Sequence, residues 1–301
     1  MTPMDKVKLP PVPREAASLQ EQALAELKQD KLVYKEVAAL GLSTAQVKEG
    51  LAVLIDFQED LHYCQHCPGY DRCNKGQPHY CIKLAHDGVE LKRLFEPCPL
   101  LRARQEYANK FIYHDFPEEW QDKDLRSIDR TAKRNAILLE FGKIIKGASA
   151  RWLYLSAKSR SGKSFLLACF ANTYSLKRSP VAYCVSGAII DELKSLSLSK
   201  APEGKERFDR KMAGLSRCPL LVLDDFGNEF ISDYTFSSIL FPILYVRARA
   251  GLVTCFASDY TIEEVGRMYG EKISGIKLRQ FLSFLREKTE GEIDAAGLEL
   301  Y

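Results

Sequence analysis

The stretch RWLYLSAKSRSGKSF, residues 151–165, decides the fold. Its apolar first half predicts a strand over 151–156. The next eight residues are Ala157-Lys158-Ser159-Arg160-Ser161-Gly162-Lys163-Ser164. They follow the P-loop pattern G-x-x-x-x-G-K-[ST] except at the first position, where Ala157 stands for Gly. Phe165 then opens an apolar run to Tyr174, which predicts a helix. In such a strand–loop–helix unit, loop N–H groups and the positive end of the helix receive phosphate. Gly162 lets the backbone approach closely. Lys163 supplies a cation for the β- and γ-phosphates, and the Ser164 hydroxyl suits Mg²⁺. The candidate nucleotide-binding residues are Ala157, Lys158, Ser159, Arg160, Ser161, Gly162, Lys163, Ser164 and Phe165. If the first position needs a positive φ, Ala157 costs about 1 kcal/mol or more there.

Residues 220–225, LLVLDD, form the matching half of the site. An apolar strand that ends in two acids is a Walker B pattern. Asp224 would hold Mg²⁺ through water, and Asp225 or a nearby acid would polarise an attacking water. These two acids are the catalytic candidates. Lys163 and Asp224 stand far enough apart for an intervening strand and helix. A further strand over 253–257 leads to Ser258 and Asp259. A polar residue at such a tip senses the γ-phosphate, but a carboxylate suits that task poorly. Capping a helix over 261–269 is the other role for Asp259.

Outward from these motifs, strands and helices alternate. Strands are expected over 181–185, 220–223 and 252–258, and helices over 187–196 and 235–249. This order predicts a parallel sheet wrapped by helices. A helix is also expected over 128–145. Upstream, Leu19, Ala23, Leu24 and Leu27 repeat at helical spacing, as do Val47, Leu51, Leu54 and Ile55. Ser43 and Thr44 sit where an N-cap belongs, and Gly41 closes the stretch before them. Residues 1–13 form an expected tail with Pro3, Pro10, Pro11 and Pro13.

The chain's 301 residues suggest two domains. With 46% hydrophobic and 28% charged residues, near ordinary globular values, a packed core is feasible and wholesale disorder is not the expectation. The net charge of +3 is too small to identify a nucleic-acid partner by itself. No apolar leader and no run long enough to span a membrane is present, so a cytoplasmic location is the expectation.

Of nine Cys, five fall within residues 64–98: Cys64, Cys67, Cys73, Cys81 and Cys98. In a reducing compartment a dense Cys cluster more often binds metal than forms disulfides. Cys-x2-Cys with later thiols suits tetrahedral Zn²⁺. The expected ligands are Cys64, Cys67, Cys81 and Cys98, with Cys73 in reserve and His66 and His79 as further donors. The segment 62–100 carries Gly69, Gly76 and four prolines, so loops and short strands are expected around the metal. Cys169, Cys184, Cys218 and Cys255 lie in apolar surroundings and read as core residues.

Strand-SGKS-helix, LLVLDDFGNE (220–229), FPILYVR (241–247) and TCFASDYTIEEV (254–265) together resemble the bacterial helicase loaders of the DnaC/DnaI type. Helices followed by a Cys-rich module that closes on Pro97-Cys98-Pro99 bring the resemblance toward the DnaI type of Gram-positive bacteria. The likeness covers nearly the whole chain. It implies an AAA+ α/β domain preceded by a small helical and zinc-binding N-terminal domain. The expected division is 1–105 for the helical, zinc-binding and helicase-contacting part, 106–125 for a linker, and 126–301 for the ATPase. The implied cofactors are ATP, Mg²⁺ and Zn²⁺. The implied partners are the replicative DnaB-type hexameric helicase, single-stranded DNA and further copies of the chain.

Three positions depart from the family pattern: Ala157, Asp259 at the sensor position, and Ser283 where an arginine finger is expected. Arg279 and Arg286 lie about a turn away. ATP binding with weak turnover follows as the expectation. The alternative is an adaptor that holds the helicase through its zinc domain. A metabolic kinase is disfavoured, because no acceptor-site motif and no Arg-rich lid appear. The basic stretch 194–211, with Lys194, Lys200, Lys205, Arg207, Arg210 and Lys211, is a candidate DNA-facing edge. It lacks interleaved aromatics.

Overall fold

The computed structural model describes residues 14–273 and 275–295. The expected N-terminal tail and the last six residues lie outside them. The chain divides into two units, residues 1–106 and 107–301.

Among its described residues the first unit has, ahead of its hairpin, the helices α1 (Arg14–Gln29), α2 (Lys31–Ala39), α3 (Thr44–Glu49) and α4 (Leu51–Gln65). Local sequence sets their breaks. The Asp30 carboxylate accepts the Leu32 and Val33 N–H groups and caps α2. Ser43 and Gln46 form a capping box on α3. Gly41 takes φ 64°, a left-handed conformation that favours Gly. The antiparallel hairpin β1 (Tyr80–His86) and β2 (Leu91–Pro97) follows, then α5 (Pro99–Lys110). Leu27, Val33, Leu54, Phe57, Leu84 and Leu91 close the core between helices and hairpin.

The second unit is a six-stranded parallel sheet in the order β3-β5-β6-β7-β4-β8. Its strands are β3 (Phe111–His114), β4 (Leu153–Ser156), β5 (Val181–Val185), β6 (Leu220–Asp224), β7 (Val253–Ser258) and β8 (Ile293–Asp294). Flanking them are α6 (Ala132–Ile145), α7 (Lys163–Ser175), α8 (Ser186–Ser197), α9 (Pro202–Arg217), α10 (Asp233–Thr235), α11 (Phe241–Ala250), α12 (Ile262–Gly270) and α13 (Ile276–Thr289). A π-turn, Phe236–Leu240, joins α10 to α11. The central strands are buried on both faces, as a parallel sheet requires, and so read as continuous apolar runs. Helices seal each face over its own apolar cluster.

Of residues 106–125, expected as a linker, all but the first are built into this unit. Phe111–His114 pairs with Val181, Ala182 and Tyr183 as the edge strand. The aromatics of the segment serve this packing: Phe111 and Phe116 are buried, and Phe116 packs edge-on to Tyr183 at 4.9 Å. Cys169, Cys184, Cys218 and Cys255 are all buried, as expected.

Arg247 is fully buried, with no carboxylate partner among the described residues. Its Nε donates to Thr254 Oγ1 at 3.0 Å, and Nη1 donates to the Leu215 and Cys218 carbonyls at 2.8 Å. Nη2 donates to the Val253 carbonyl. One guanidinium thus holds α9, α11 and the start of β7 together, because its planar fork matches several fixed acceptors.

Candidate nucleotide-binding site

The ends of β4, β6 and β7 meet the N-terminus of α7, and the predicted motif residues converge there. Ser159, Arg160, Ser161, Gly162, Lys163, Ser164, Phe165, Asp224 and Asp225 line one cleft of about 530 Å³, together with Asp259 and Trp120. Ala157 and Lys158 lead into it from β4. Gly162 (φ 87°) and Arg160 (φ 65°) supply the left-handed turns of the loop. Ala157 is not among the positive-φ residues, so it is spared the strain expected for a Gly replacement. Its N–H donates to the Ser258 carbonyl at 3.1 Å, which continues the β4–β7 pairing.

The Ser164 hydroxyl donates to Asp224 Oδ1 at 2.9 Å. The Tyr183 hydroxyl donates to Asp224 Oδ2 at 2.7 Å. Burial pushes the Asp224 carboxyl above its ordinary pKa, against the opposing pull of these two hydroxyls. Asp225 is exposed in a left-handed conformation (φ 54°), and its Oδ1 accepts from Asn228 Nδ2 at 2.6 Å. Lys163 is buried, and its Nζ lies 2.6 Å from Asp259 Oδ1. Asp259 does not cap a helix; Thr261 caps α12 in a box with Glu264.

The fit of this cleft to a Mg²⁺-bound triphosphate rests on the donor set. A buried amine, a run of loop N–H groups at a helix start and a hydroxyl facing a buried carboxylate match it. The Ser161 hydroxyl adds to this: it is buried in the loop with no partner among the described residues. Two contributors escaped sequence reasoning: Tyr183, which bonds Asp224, and Trp120, which lines the cleft. Glu229 is buried, accepts the Gly227 N–H at 2.8 Å and leaves Oε1 without a partner among the described residues. Burial pushes its carboxyl up to about 7.

In the first unit the thiols assemble in part. Cys64 Sγ and Cys81 Sγ lie 3.7 Å apart. Two sulfurs on one tetrahedral Zn²⁺, each at about 2.3 Å, would be about 3.8 Å apart. The expected four-Cys set is not gathered. Among the described residues, the donors grouped closely enough for a metal are Asp60, Cys64 and Cys81. Cys67 is exposed past the end of α4, and Cys98 Sγ accepts the Leu101 N–H at 3.4 Å at the start of α5. Lys75 Nζ donates to both Asp60 (2.6 Å) and Cys64 Sγ (3.1 Å). Burial opposes the Lys75 charge, but Asp60 and Cys64 more than offset it and raise its pKa. Burial and the neighbouring Cys64 sulfur push the Cys81 thiol up to about 11. Cys73 Sγ accepts the His79 N–H at 3.4 Å.

No family model matches the chain. Over 227 residues it is 23% identical to the replicative helicase loader DnaI of Bacillus subtilis (strain 168), spanning 73% of this chain and 71% of that protein. The crystal structure of DnaI superposes with a TM-score of 0.50 at 20% identity, covering 62% of this chain and 95% of that one. The DnaC helicase loader gives 0.46 at 17% identity, over 57% and 96%. This chain resembles the helicase loaders of the DnaC/DnaI type. The chain shares the fold of that DnaI structure over 62% of its length.

Five residues beyond Asp225, Phe230 is 63% exposed. Lys194 and Lys272 hold their Nζ atoms 5.4 and 5.5 Å from its ring centroid. The basic stretch therefore meets an aromatic ring in space, although none stands beside it in sequence. The expected finger position Ser283 shares an exposed face of α13 with Arg279 and Arg286.

Proposed function

We propose that this protein is a helicase loader that binds ATP and delivers a replicative DnaB-type hexamer onto single-stranded DNA. The similarity to DnaI across nearly three-quarters of the chain carries the proposal. Lys163 would meet the β- and γ-phosphates after releasing Asp259, and the Ser161 hydroxyl would turn to a phosphate oxygen. Ser164 and Asp224 would hold Mg²⁺, which neutralises charge on the phosphates. Asp225 would orient the attacking water. Exposed Phe230, with the Lys194 and Lys272 ammonium groups over its ring, would bring an aromatic side chain and two cations together for single-stranded DNA. The first unit would hold the helicase. Its Zn²⁺ would sit on Cys64 and Cys81, joined by Cys67 and Cys98.

Size-exclusion chromatography with light scattering tests the partner, using the replicative helicase of the same organism with ATP and Mg²⁺. Co-elution at a fixed ratio is expected; an intact, zinc-loaded protein that forms no complex overturns the proposal. Metal analysis should find one zinc per chain.

A second reading is an adaptor that binds ATP and barely hydrolyses it. The Lys163–Asp259 pair favours it, since a carboxylate already holds the amine that would meet the γ-phosphate. Phosphate release decides between the readings. Turnover near one per second or above, abolished in Lys163→Ala, excludes the adaptor.

A further inference from the structure

We infer that Trp120 is the platform for the nucleotide base, and that the segment before α6 confers base recognition on the phosphate site. The inference rests on the nucleotide reading of that site and adds the element that would distinguish a nucleoside triphosphate from any other polyanion.

The cleft lining divides by chemistry. The acids Asp224, Asp225 and Asp259 gather around Lys163 and Ser164. The aromatics gather at the next residue, Phe165, where the Trp120 ring packs edge-on with centroids 5.3 Å apart. Trp120 is only part-buried, and it lines the same cleft as Lys163. A nucleoside triphosphate has the same division: a charged end that requires cations and Mg²⁺, and a flat apolar end that gains by stacking.

Trp120 is also held in place. It ends a 3-10 turn, Glu118–Trp120. Asn172, buried on α7, donates through Nδ2 to the Trp120 and Lys123 carbonyls, both at 2.7 Å. Asn172 Oδ1 accepts from the Tyr107 hydroxyl at 3.1 Å. The Thr173 hydroxyl accepts the Leu125 N–H at 3.1 Å. The helix that begins at the phosphate loop therefore fixes the turn that carries the indole. Such pre-organisation lowers the entropy lost when a base stacks.

The test compares ATP with inorganic tripolyphosphate by calorimetry, on the full chain with Mg²⁺. Trp120→Leu should weaken ATP about tenfold, the effect of one lost base-stacking contact. Trp120→Phe should recover most of it, and neither change should move tripolyphosphate binding. ATP, but not tripolyphosphate, should quench the fluorescence of the wild type, and Trp120→Leu should abolish the quench. Equal ATP affinity in the wild type and Trp120→Leu overturns the inference, as does an equal loss for both ligands. Absence of ATP and tripolyphosphate binding in the wild type would instead overturn the nucleotide reading beneath it.

Discussion

Lys163 and Asp259 form an ion pair at 2.6 Å across the cleft, one from the phosphate loop and the other from the tip of β7. A triphosphate would compete with Asp259 for the same amine. Asp259→Asn removes the competitor and keeps a polar side chain. We expect affinity for a non-hydrolysable ATP analogue to rise about three- to tenfold, in line with a partly exposed ion pair of about 1 kcal/mol. Calorimetric titration reads this directly, and an unchanged or weaker affinity rules out the competition.

Tyr183 serves Asp224 from the neighbouring strand. Tyr183→Phe leaves a buried carboxylate short of one donor, which costs about 1–3 kcal/mol. Both a lower urea midpoint and a weaker Mg²⁺ dependence of ATP binding are expected. If neither moves, the hydroxyl does not support the acid.

Arg247 satisfies four acceptors at the junction of α9, α11 and β7. Arg247→Met strands those acceptors in a dry interior, at a cost of about 3 kcal/mol or more. Denaturant unfolding followed through Trp152 fluorescence should show the loss, since the Trp152 indole donates to the Leu252 carbonyl nearby. A loss under about 1 kcal/mol would mean that water reaches the site.

Glu229 gives a pH dependence of definite sign. Its carboxyl is pushed up to about 7 in the fold, against an ordinary value of 4.5. Between those values the folded state holds more protons than the unfolded one, so stability falls as pH rises and levels off above about 7. Glu229→Gln keeps an acceptor for the Gly227 N–H and removes the charge. It should stabilise the protein by up to about 3 kcal/mol at pH 8 and be near neutral at pH 4. Thermal melts across that range test it; parallel profiles for the two proteins would show that Glu229 is solvated.

The parts legible in sequence were those whose signal is local. The phosphate loop announces itself within fifteen residues, and Val181–Val185 is a continuous apolar run because both its faces are covered. Ser43 marked α3 because capping acts over three residues. What escaped depends on distant contacts. Asp259 reaches Lys163 across 96 positions, and Tyr183 reaches Asp224 across 41. Phe111–His114 looked like a connector because an edge strand is short and has one neighbour. The five thiols had metal-like spacing, but spacing could not foresee that Lys75 would bind Cys64 and that Cys98 would serve α5.

The strand order carries a mechanical consequence. β7 lies between β4 and β6 and touches both. The strands that lead to the 157–162 loop and to the acid that faces Ser164 are therefore separated by the width of a single strand, which also delivers Asp259. A change in the tilt of β7 would alter the span between cradle and acid while carrying Asp259 toward or away from Lys163. Anything that grips α12, the helix continuing from that tip, would hold a lever on the whole cleft without entering it.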